Sequence, residues 1–156
     1  VILFLDFDGV LHPEVASLSA PGILRREGDF SRVPQFEMLM REFPDIDIVI
    51  SSAWRELNSL ETLRGFFSPD IARRIIGATP VLHLEFEGRR EREIRAWLRD
   101  TGREHEAFIA VDDWPALFSW NCDFLFTVDP ERALDRQTID ALRQRLARMH
   151  TRRSPP

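Results

Sequence analysis

Asp6 and Asp8 close the first apolar run of the chain, with Phe7 between them and Gly9 directly after. Alternate positions on a strand put both side chains on one side. Two carboxylates held that close repel unless a cation or a shared proton compensates. The simplest chemistry for such a pair is a divalent-metal site in which one aspartate can also act as a nucleophile. Two later apolar runs end in polar groups as well: Ser51 with Ser52 after the second, and Asp112 with Asp113 after the third. Four carboxylates without a cysteine among them favour a hard cation with oxygen ligands, so Mg²⁺ is preferred to Zn²⁺. A hydroxyl beside that site can hydrogen-bond an anion. A cation to balance a phosphate is available in Arg89, Arg90 and Arg92, and Arg55 follows the two serines closely enough to reach a substrate or to pair at the surface. Carboxylates, Mg²⁺, hydroxyls and an arginine together describe phosphoryl transfer better than any other common reaction.

These groups converge only if the strands that carry them are neighbours. Residues 1–5, 46–50, 108–111 and 124–128 are short apolar runs that read as buried strands, and residues 75–84 hold room for one more. Between them lie amphipathic helices. Phe36, Leu39, Met40 and Phe43 fall on one face, with Ser31 as a cap and Pro34 in the first turn. Leu57, Leu60 and Leu63 mark a second helix, and Ser68-Pro69 starts a short third. Ile94, Trp97 and Leu98 mark another that Gly102 can terminate, and Ile139, Leu142, Leu146 and Met149 mark the last. Strands alternating with helices predict an α/β fold: a three-layer sandwich around a parallel sheet with right-handed crossovers. Open sheets of this kind place ligands at the carboxyl ends of their strands, where all these polar groups sit. Residues 12–32 carry Pro13, Pro21, Gly22 and Gly28 without periodicity and read as a loop or small flap.

The same residues resemble the haloacid dehalogenase (HAD) superfamily of phosphohydrolases. Asp6-Phe7-Asp8-Gly9-Val10 is similar to its first motif, Ser51 to the second, Arg90 to the third and Asp112-Asp113 to the fourth. More closely, Ile50-Ser51-Ser52-Ala53-Trp54-Arg55, Gly77-Ala78-Thr79-Pro80, residues 92–98 and Val111-Asp112-Asp113-Trp114 resemble the small HAD domain of the Swiss Army Knife RNA-repair type. The resemblance implies a HAD-like Rossmannoid without a large cap domain. It implies Asp6 as the nucleophile that forms an aspartyl-phosphate, and Asp8 as the acid and base. Mg²⁺ would be held by Asp6, the Asp8 backbone carbonyl and Asp113, with Asp112 beside them. Ser51, or Ser52 in its place, and Arg90 would hold the phosphoryl group. The implied substrate is a phosphorylated small molecule or a nucleic-acid end.

A chain of 156 residues is long enough for one core and too short for two, so residues 1–150 are expected to form a single domain with a polar tail at 151–156. Its net charge of −5 does not mark the whole molecule as a nucleic-acid binder. Cys122 is the only cysteine, which rules out an internal disulfide and favours a reducing cytoplasm. No run reaches the roughly 20 apolar residues that span a bilayer, so no membrane partner is expected. Plainer readings stand beside the sharp ones. Ser51, Asp112 and Asp113 could only cap helices, Arg90 could lie on a solvated face, and Trp54 and Trp114 could pack in the core rather than stack on a ring. His12 reads as an ordinary loop histidine, and Asp129 as a helix cap. Two other classes compete: a phosphoacceptor receiver domain, and a catalytically silent HAD interaction module. A receiver ends its later strand in aspartate, where this chain has Ser51.

Overall fold

The computed structural model describes residues 1–14, 30–83 and 86–151. Most of the segment read as a flap lies outside those residues, as do positions 152–156. Among the described residues, five strands form one parallel sheet: β1 (Ile2–Leu5), β2 (Asp47–Ile50), β3 (Ile75–Ala78), β4 (Phe108–Asp112) and β5 (Leu125–Thr127), in the order β3-β2-β1-β4-β5. The predicted α/β sandwich is therefore present, and β1 is the central strand. Among the described residues, five α-helices accompany the sheet: α1 (Val33–Glu42), α2 (Leu60–Arg64), α3 (Pro69–Ala72), α4 (Arg89–Asp100) and α5 (Arg136–Thr151).

Strand alternation divides the core into two layers. Leu3 and Leu5 of β1, Ile48 and Ile50 of β2, and Ile109 and Val111 of β4 face the side covered by α1 and α5. Ile2, Phe4, Val49 and Ala110 face the other side, against Ile94, Trp97 and Leu98 of α4. All of these strand residues are buried, as expected for a sheet covered on both faces. The contact between α4 and the sheet is close, since a Cβ on Gly77 would lie 3.2 Å from Trp97 Nε1.

Several element ends differ from the sequence reading, each for a local reason. Helix α1 starts at Val33 after Arg32, without a side-chain cap, so Ser31 does not cap it. Ser59 caps α2 through the Thr62 N–H, which leaves Leu57 before the helix and exposed rather than on its apolar face. Asp129 accepts from the Glu131 N–H in a turn. The residue that caps α5 is Asp135, through Thr138 N–H and hydroxyl. Those bonds draw the Asp135 carboxyl down to about 2. Gly102, at φ +67°, does end the run of α4.

Candidate functional site

The sheet lines up the strand ends. Leu5 pairs with Ile50 on one side and Val111 on the other, so Asp6 follows β1 beside Ser51 and next to Asp112. The Ser51 N–H donates to the Leu5 carbonyl, and the Asp6 N–H to the Val111 carbonyl. Asp6 continues the face of Ile2 and Phe4, and Asp112 shares the face of Ala110, so both turn toward α4. A crossover helix runs antiparallel to its strands, which brings the first turn of α4, with Arg90, to their carboxyl ends. The amino end of a twelve-residue helix also carries partial positive charge toward that edge.

Asp6, Asp112 and Asp113 each offer one oxygen, all within 4.8 Å of one another. Burial pushes the Asp6 carboxyl up, against the pull of Arg90, a hydrogen bond from Ser52 and the N–H of Phe7 at 2.8 Å. Burial and the Asp6 charge push Asp112 up to about 8 and Asp113 up to about 7. Asp113 lies against Gly9, where a Cβ would meet its Oδ2 at 2.2 Å. Gly9 is needed twice over, because its φ of +65° is also one that side chains rarely adopt.

Arg90 is buried among these acids. Its Nη1 is 3.8 Å from Asp6 Oδ1, and its Nε is 3.8 Å from Asp112 Oδ2. Both separations are too long for hydrogen bonds. Burial works against the charge of Arg90, but Asp6 and Asp112 hold its pKa above the ordinary arginine value. Among the described residues, Arg90 Nη1 and Asp112 Oδ2 are buried without a hydrogen-bond partner, and so is Thr79 Oγ1, just past β3. Buried polar atoms are nearly always satisfied, so atoms of opposite sign left without a hydrogen bond beside three carboxylates suit a bound ligand that would satisfy them. An oxygen-liganded divalent cation fits the acids, and an anionic oxygen fits Arg90.

The remaining predicted residues fall in different places. Ser52 sends its hydroxyl to Asp6, while its oxygen also accepts from the Trp54 N–H at 3.4 Å. Ser51 is buried beside Asp6. Arg55 does not join the set. Its Nε donates to the Thr79 carbonyl and its Nη1 to the carbonyls of Ser51 and Ser52. Its Nη2 donates to the Pro80 carbonyl and to Glu93 at 2.5 Å. With every donor engaged, Arg55 holds the loops after β2 and β3 against α4 and has none left for a phosphate.

Asp8 stands outside the three-acid cluster, because β1 ends at Leu5 and strand alternation does not extend to it. Its Oδ1 receives the Trp54 Nε1–H at 3.1 Å and lies 2.9 Å from His12 Nε2. The His12 Nδ1 accepts the Phe30 N–H at 3.4 Å, which leaves Nε2 as the nitrogen that donates to Asp8. His12 is therefore a buried partner of the second aspartate and not an ordinary loop residue. The only sequence signal for it was the four-residue spacing from Asp8. Trp54 packs among Phe7, Phe30 and Phe66. Trp114 instead stays about half exposed.

Comparison with known proteins agrees with this geometry. The family model for the HAD domain in Swiss Army Knife RNA repair proteins matches residues 2–139. No curated protein and no solved structure gives a significant match. The match covers most of the chain, and the chain belongs to that family.

Proposed function

We propose that this member of the HAD domain family of Swiss Army Knife RNA repair proteins is a Mg²⁺-dependent phosphatase that works through an aspartyl-phosphate. The observation that carries the reading is the buried, unpartnered Arg90 Nη1 beside Asp6 and the Asp6/Asp112/Asp113 cluster. Residues of these types at these distances suit a phosphoryl group placed between a nucleophilic carboxylate and an arginine.

In the proposed reaction a carboxylate oxygen of Asp6 attacks phosphorus, and the bond from phosphorus to the leaving oxygen breaks. Asp8 gives that oxygen its proton. Water then attacks phosphorus, Asp8 takes a proton from it, and phosphate departs as Asp6 is regenerated. Arg90 and the Ser51 hydroxyl steady the phosphoryl oxygens as charge moves, while the Ser52 hydroxyl holds Asp6. His12 and Trp54 keep Asp8 in position. Asp6, Asp113 and the Asp8 carbonyl would hold Mg²⁺, with Asp112 between that set and Arg90. The ion supplies positive charge that lets the acids ionise together and draws electron density from the phosphoryl group.

The substrate we favour is a phosphorylated nucleotide or polynucleotide end, which follows from the family's RNA-repair setting. Among the described residues no second domain covers the strand ends, which suits a large substrate. The protein is expected to work in the cytoplasm. No helix among the described residues is long and apolar enough to cross a membrane. The test is a screen of nucleotides, sugar phosphates and 3′- or 5′-phosphorylated oligonucleotides, run with and without Mg²⁺. Asp6→Asn should abolish turnover while the fold persists. Full activity in that variant would overturn the mechanism, and a wild-type protein inert on every class would overturn the activity.

A further inference from the structure

Phe86, Trp114 and Trp120 are the three aromatic side chains most exposed among the described residues. They are 45%, 53% and 92% exposed. Phe86 and Trp114 meet edge to face, with centroids 4.9 Å apart. Phe86 and Trp120 line a cleft of about 620 Å³, together with Phe118, Ser119, Asn121 and Thr127. Large aromatic rings left in water are unfavourable unless a partner covers them.

The sheet register relates the cleft to the site. Thr127 ends β5 in register with Asp112 of β4, and β4 lies next to β1, which delivers Asp6. Two strand spacings place Thr127 about 10 Å from Asp6 across the sheet. The Trp114 N–H is held by Asp112 Oδ1 at 2.9 Å, so one site acid also fixes the backbone that carries an exposed ring. Arg89 sets its guanidinium 6.0 Å from the centre of the Phe86 ring, adding positive charge at the edge nearest α4.

We infer that this cleft is a base-binding subsite, which takes the unpaired nucleobase of a substrate whose phosphate lies at Asp6. The inference rests on the phosphatase reading and narrows its substrate class to base-bearing phosphates in single strands. Flat aromatic faces suit a base, Ser119 and Asn121 suit the polar edge of one, and the spacing matches the reach from a terminal phosphate into its own nucleotide. Stacking of this kind tolerates any base, so the cleft reads the presence of a base and not its identity.

The probes are short single-stranded oligoribonucleotides phosphorylated at the 3′ or the 5′ end. Each is made with its terminal base present or replaced by an abasic sugar. Stacking is worth ~1–3 kcal/mol per base, so kcat/KM on the better end should be roughly 5- to 150-fold higher when the base is present. Trp120→Ala, a change at an almost fully exposed position, should bring that ratio toward one, and Trp114→Ala should do the same. A wild-type ratio near one overturns the inference, as does a ratio that survives both substitutions together. A cleft made for a protein partner would give that result. If no strand is turned over, the polynucleotide-end reading fails by itself, and quenching of tryptophan fluorescence by the same strands decides about the cleft. Stronger quenching by the base-bearing strand upholds the subsite, and equal quenching overturns it.

Discussion

Replacing Gly9 with alanine should disable the metal cluster while leaving the domain folded. The new Cβ would stand 2.2 Å from Asp113 Oδ2, 2.5 Å from its Cγ and 2.9 Å from its Cβ. Ordinary contact begins near 3.4 Å, so the Asp113 carboxylate must move by about 1 Å away from residue 9, out of its present place beside Asp6 and Asp112. Alanine at φ +65° adds roughly 1–2 kcal/mol of backbone strain, which for a domain of this size lowers Tm by about 2–8 °C. A misplacement of 1 Å can cost on the order of a hundredfold in rate. The assay pairs Mg²⁺-dependent turnover with the Mg²⁺-induced rise in Tm. Gly9→Ala should lose most of both and keep a cooperative melt. In an Asp113→Ala background, where the two nearest atoms are gone, the same substitution should add little beyond its strain. Wild-type turnover and a wild-type response to Mg²⁺ in Gly9→Ala would refute the placement of Asp113 in the metal set.

Breaking the Arg55–Glu93 pair should act on stability. Both side chains are nearly fully buried, so Glu93→Gln or Arg55→Met should cost about 3–5 kcal/mol in chemical denaturation by stranding the other partner. Trp54→Phe keeps an aromatic ring among Phe7, Phe30 and Phe66 but removes the donor to Asp8. Its kcat should fall about tenfold with KM little changed, within the span that general acid catalysis contributes. The pH dependence follows from the raised acids. With Asp112 near 8 and Asp113 near 7 in the fold, against about 4 in the unfolded chain, the native state binds more protons between those limits. Without metal, stability should therefore be fullest below pH 4 as far as these two groups contribute, and should fall as pH rises through 7 and 8. Mg²⁺ needs the ionised acids, so the Tm gained on adding it should grow from pH 6 to pH 8. A gain that shrinks over that range would contradict the assignment.

Much of this architecture was legible from the chain because its signals are local. Ile2 to Leu5, Asp47 to Ile50 and Phe108 to Val111 are short apolar runs with polar ends, and a parallel sheet aligns such ends at one edge. That alone brought Asp6, Ser51 and Asp112 together. Residues that misled depend on distant partners or on turns that the local pattern does not show. Arg55 was open to a substrate or to a surface pairing, but its acidic partner, Glu93, lies on α4, past two helices and a strand. His12 looked ordinary because its role depends on a turn that folds it back onto Asp8. The split between Asp6 and Asp8 was hidden for a similar reason. Alternation on a strand puts both carboxylates on one side, whereas β1 ends at Leu5 and its alternation carries on to Asp6 but not to Asp8. The exposure of Trp114 and the packing of the half-buried Trp54 likewise followed from tertiary packing and from nothing in their immediate neighbours.

The central claim is that Asp6 carries the phosphoryl group during turnover. The direct measurement is to quench the protein during reaction with a phosphorylated oligonucleotide and Mg²⁺, reduce the acyl phosphate with borohydride, and map the modified residue by peptide mass. The account predicts homoserine at position 6, absent without Mg²⁺ and absent in Asp6→Asn. Turnover that continues in Asp6→Asn, or a phosphoryl group trapped on any other residue, would contradict it.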